Sequence, residues 1–169
     1  MADMQSPTPT PTQSCPLIVA QRIQTHGTWR SEHWNLAALK SPNDALVLEV
    51  VGNPNTYTYV PGMISNFSRL KDFRGGYLVG RIAEDQLSWL EERLRAIPVL
   101  RWEPGFDSQV WVFEALRLLK DEGIVTEDTN EKRIRAELKL EEERWNGWED
   151  TLEERLFSTH DVDPPQQQE

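Results

Sequence analysis

The chain has 169 residues, and its 18 Lys and Arg against 28 Asp and Glu leave a formal net charge of −10. That balance excludes binding along a phosphate backbone, where affinity comes mainly from basic side chains, and it argues against an anionic membrane surface. Cys15 is the only cysteine, which excludes an intrachain disulfide and a cysteine-based structural metal site.

Residues 1–15, with the run PTPTPTQS, are Pro-rich and polar. Such a segment cannot bury enough apolar surface to offset its ordering entropy, so a disordered tail is expected. No basic segment followed by an apolar run precedes Cys15, and no stretch is long enough to span a bilayer. A cytoplasmic protein with no membrane contact follows as the default expectation.

Residues 17–24 (LIVAQRIQ) predict a strand, and THGTWRS after it a polar turn around Gly27. Residues 32–39 (EHWNLAAL) predict a second strand, with His33, Asn35 and Ala37 on one face and Trp34, Leu36 and Ala38 on the other. The SPND turn leads to residues 45–51 (ALVLEVV), nearly continuous in apolar residues and so expected to be central. A turn at Gly52, Asn53 and Pro54 precedes TYTYV, completing an antiparallel meander. Residues 61–76 read as irregular, and 77–82 (YLVGRI) as a last short strand.

Leu87, Leu90, Leu94 and Ile97 mark one face of a helix over 84–97, ended by Pro98. The stretch GFDSQVWVFEALRLLKDEG then carries a start signal, an apolar body and a stop signal. Asp107 and Ser108 both suit an N-cap, and Gly123 suits the left-handed residue that ends a helix. The apolar residues between them cover most of the circumference, which predicts a buried central helix over 108–121. A long amphipathic helix over 129–157 follows, with the stripe Ile134, Leu138, Trp145, Trp148, Leu152 and Leu156. Residues 158–169 are a polar tail. The fold class is α+β, one domain over 16–157 with its core in 17–125: a small antiparallel sheet on a buried helix, plus the C-terminal helix. That helix is a candidate homodimer contact.

His33 and Ser108 form the first candidate constellation. A strand imidazole could take the proton of a hydroxyl at the head of a buried helix, where free N–H groups would hold an oxyanion. The competing reading makes Ser108 a helix cap and His33 a strand residue with one hydrogen bond. His26 and His160 have no metal-ligand spacing with His33, so no metal is expected, and no cofactor motif is present.

The order of a His-Trp strand (His33-Trp34), a meander, and a buried helix opening on a polar residue and Gln109-Val110-Trp111-Val112 resembles a group of small fungal proteins. In that group the helix begins Asn-Cys-Gln-x-Trp. The group is in turn similar to circularly permuted papain-like domains, the class of the NlpC/P60-type and lecithin:retinol-acyltransferase-like folds. The resemblance covers roughly residues 17–125. It implies a papain-like cleft, with Ser108 at the position of the nucleophilic cysteine and Asp107 at that of its Asn neighbour. Gln109, Trp111 and Trp34 would line a site. The third member would come from the strand after the histidine, where Glu49 is the only ionisable residue, and the hairpin register decides whether it shares His33's face. A hydroxyl does not become an anion beside a histidine as a thiol does, and an ionised Asp107 puts negative charge where an oxyanion should form. The implied function is a papain-like domain that has lost its thiol nucleophile and binds a small molecule or peptide. The alternative is a serine-dependent acyltransferase or hydrolase using Ser108 and His33 on a small ester or amide.

Overall fold

A computed structural model describes residues 10–147 and 152–157. Residues 1–9 of the expected 1–15 tail, and the expected tail 158–169 with His160, lie outside them, as does Trp148. Ser14 and Cys15, placed in the first tail, instead open the first strand, where Cys15 is fully buried against the core. The fold is α+β. The strands are β1 (Ser14–His26), β2 (Trp29–Leu39), β3 (Asp44–Val51), β4 (Thr58–Ser65) and β5 (Phe73–Ala83). They form one antiparallel sheet in the order β4-β3-β2-β1-β5. The helices are α1 (Leu87–Arg95), α2 (Ser108–Asp121), α3 (Glu131–Asn146) and α4 (Leu152–Phe157).

Alternation along the strands builds two cores. Leu17 and Val19, Trp34 and Leu36, and Leu46 and Leu48 pack with Leu90 and Leu94 of α1 and with Trp111, Val112 and Leu119 of α2. Ile18 and Ala20, Ala37 and Leu39, and Ala45 and Val47 point the other way, onto Phe67, Phe73 and Leu152. The central strands are thus covered on both faces, and a strand buried on both faces reads as a continuous apolar run. Each large side chain so buried stabilises the fold by about 1.5–3 kcal/mol.

The strands are longer than their sequence patterns suggested. The expected polar turn shrinks to a tight hairpin between His26 and Trp29, with Gly27 at φ +64°. β4 runs on through Pro61 into the stretch expected to be irregular. Pro61 is tolerated because β4 is an edge strand, paired only with β3. β5 returns to pair with β1 at the other edge instead of extending the meander.

Two helical expectations need correction. α2 buries one stripe (Ser108, Trp111, Val112, Ala115, Leu116, Leu119) and leaves Val110 37% exposed, so it is not buried all round. Leu118 and Phe113 are half-buried, which is why the sequence read as apolar on nearly every side. The C-terminal helix is broken: α3 ends at Asn146 with Gly147 as its C-cap, and α4 begins at Leu152. The described members of its stripe are spent within the chain. Ile134 and Leu138 enter the first core, and Trp145, Leu152 and Leu156 join the second. α3 passes close against β5. A Cβ on Gly75, at φ +92°, would stand 2.8 Å from the Cβ of Glu141, so both backbone conformation and space demand glycine there.

Candidate functional site

β2 and β3 pair only from Leu36↔Leu48 to Leu39↔Ala45. Beyond that point the head of α2 meets β2. Asp107, in extended conformation, is the N-cap, and its Oδ1 accepts from the N–H of Gln109 and of Val110, each at 2.9 Å. Ser108 is the first helical residue, only 7% exposed. Its Oγ accepts the backbone N–H of Trp34 at 3.2 Å. Of the two residues expected to cap, Asp107 takes the role and Ser108 instead ties the helix to the strand.

His33 is buried one residue earlier on β2. Its Nε2 donates to Glu49 Oε2 at 2.7 Å. The register therefore does put Glu49 beside His33, on the face shared with Asn35. Arg22, opposite His33 on β1, brings Nη1 to 4.0 Å from the same Glu49 oxygen. Arg22 is itself held by Asp72, whose Oδ2 accepts from Nε at 3.0 Å and lies 2.8 Å from Nη2.

The expected His33–Ser108 pair is not assembled by a hydrogen bond. The two residues come to neighbouring positions of one strand, but His33 bonds to Glu49 and Ser108 to the backbone of Trp34. Strand alternation is the reason. His33 belongs to the set that faces away from α2, with Asn35 and Ala37, whereas Ser108 arrives with the helix packed on Trp34's side.

On that side lies a cleft of about 330 Å³ lined by Gln21, Glu32, Trp34, Gln109, Arg135 and Lys139. Gln109 is its keystone. Its Nε2 donates to the Glu32 carbonyl at 3.2 Å, and its Oε1 accepts from Arg135 Nη1 at 2.9 Å. The Arg135 guanidinium sits 4.9 Å from the centre of the Trp34 ring, and Trp34 Nε1 donates to Gln21 Oε1 at 3.0 Å. Trp34 and Gln109 both line this cleft, which includes neither His33 nor Ser108. Trp111 is not in it. It is fully buried in the first core, its ring 5.5 Å from that of Tyr59, because it lies one turn along the buried stripe of α2.

Sequence reasoning missed Gln21, Arg22, Asn35, Asp72, Arg135 and Lys139. Gln21 and Arg22 did leave a signal: two adjacent polar residues interrupting LIVAQRI, an apolar run that can afford few. Arg135 and Lys139 left none, being charged residues on a helix full of them. Asn35 is fully buried, and neither its Oδ1 nor its Nδ2 has a partner among the described residues. Among those residues no group of three or more His, Cys, Asp or Glu side chains could hold a metal. None of their helices is long and apolar enough to cross a membrane.

No family model, no curated protein and no solved structure matches the chain.

Proposed function

We propose that this is a binding domain on a permuted papain-like frame that has lost thiol chemistry, with the cleft beside Trp34 as the site for a small molecule or peptide. The observation that carries the reading is at the head of α2. The Asp107 carboxylate takes the N–H groups of Gln109 and Val110, the groups that would stabilise an oxyanion, and adds a negative charge beside them. Ser108 Oγ is engaged with a backbone N–H and has no base bonded to it among the described residues. The cleft, by contrast, offers an aromatic wall and a few converging polar groups, the usual make-up of a ligand pocket.

One observation favours serine-dependent acyl transfer or hydrolysis as the second reading. Glu49 orients His33 as the acid of a triad would, although His33 lies on the sheet face away from Ser108, and acyl transfer would need the ring to reach across.

A fluorophosphonate probe and a library of small ligands and short peptides, followed by amide and indole NMR, separate the two. Binding should shift the Trp34 indole and Gln109 amide signals, weaken at least tenfold in Lys139→Ala, and survive Ser108→Ala. Labelling of Ser108 that disappears in His33→Ala would overturn the binding reading. In a Cys15→Ser background, Ser108→Cys sharpens the result. A thiol whose alkylation pKa is depressed, and rises again when His33 is replaced, would mark the site as a lost enzyme. A thiol at the free-cysteine value, indifferent to His33, would remove the catalytic ancestry.

A further inference from the structure

On the sheet face away from α2, half-buried Asp72 and Arg22 and buried Glu49 and His33 form a chain of polar groups. The cleft does not use it. A carboxylate can only accept, so the hydrogen in the 2.7 Å bond to Glu49 is carried by His33 Nε2. In the neutral ring that leaves Nδ1 with a lone pair. Nδ1 makes no hydrogen bond among the described residues, and the side chain retains 7% exposure.

Glu49 alone would not hold this arrangement. A buried carboxylate needs a compensating charge. Arg22 supplies it from β1, and Asp72 clamps the guanidinium by two of its nitrogens, so the fork cannot swing away.

We propose that Arg22 is a positioning residue for His33. Through Glu49 it fixes the neutral imidazole as the Nε2–H tautomer, so that Nδ1 presents a hydrogen-bond acceptor at the head of the sheet. A group that donates to it would be an amine, an amide N–H or a hydroxyl, not a carboxylate or phosphate. The inference does not rest on the cleft, and the failure of either leaves the other standing.

The test reads the tautomer directly. The chain has three histidines, so replacing His26 and His160 by Gln leaves His33 as the single imidazole. Long-range proton–nitrogen NMR at a pH where the ring is neutral should then show the Nε2–H pattern in the otherwise native chain. In Arg22→Met the pattern should move to a tautomer mixture, and Arg22→Lys should restore most of it. Carbethoxylation by diethyl pyrocarbonate should go to Nδ1 in the native chain and lose that preference in Arg22→Met. An Nδ1–H ring in the native chain would overturn the proposal, as would a pattern unchanged by Arg22→Met. Should Arg22→Met fail to fold, Arg22→Gln, which keeps a polar head, is read in its place with the same two outcomes. A purely structural Arg22 would change the melting temperature and leave the tautomer as it was.

Discussion

The two faces of the sheet are built differently. The face under α1 and α2 is apolar over most of its area, and its large members (Trp34, Leu36, Leu48) are among the most buried of the described side chains, as is Trp111 of α2 above them. The other face starts apolar, with Ile18, Ala37 and Val47, and then changes. Towards the hairpin end it carries His33, Asn35 and Glu49, all buried, with Arg22 half-buried beside them. Burying such groups costs free energy unless each finds a partner. The first face is mostly core, with the Trp34 cleft where that core ends. The second buries fewer apolar groups at this end and holds the linked His33, Glu49 and Arg22 side chains.

The largest expected effect of a single change is on the first face. Trp111→Ala removes a fully buried side chain and should cost about 3–5 kcal/mol by denaturant unfolding. A loss below about 1 kcal/mol would show that α2 is not the centre of the core.

The second face is closed by a polar latch. Glu141, 7% exposed, accepts from Arg144 at 2.6 Å and from Arg155 at 2.6 and 2.7 Å, tying α3 to α4. Glu141→Ala should cost about 1.5–3 kcal/mol, nearer the lower figure because both arginines are partly exposed. It should also raise proteolysis near α4 while leaving the first face protected in hydrogen exchange. Equal loss of protection on both faces would mean that the two cores unfold as one and that the contrast between them is only compositional.

The smallest effect is the response to base. Burial raises the Cys15 thiol above its ordinary 9.0 and the Tyr57 and Tyr59 phenols above 10.0; in addition, Tyr59 OH donates to the Glu91 carbonyl. The unfolded chain loses these protons first. The folded state therefore binds more protons at high pH, and stability falls as pH rises. Thermal melts should hold steady on this account below about pH 9 and decline above it, first through Cys15 and then through the tyrosines. Cys15→Ser should remove the first part of the decline. A melting temperature flat to pH 11 would contradict the assigned burial.

Much of the architecture was legible in the chain. Period-two alternation in EHWNLAAL separates His33 from Trp34, and that separation survives in the fold. The cap at Asp107 and the end at Gly123 bound α2 within a residue, because they are local backbone chemistry: side-chain oxygens on free N–H groups and a positive φ. What alternation could not decide is which neighbours each face meets. The pairing of His33 with Glu49 depends on where β2 and β3 part, and that is set by the head of α2 entering beside Trp34. Arg22 reaches Glu49 across an intervening strand, and Arg135 covers Trp34 from a helix a hundred residues downstream. Contacts of that range follow from packing whole elements, and no window of the sequence contains both partners.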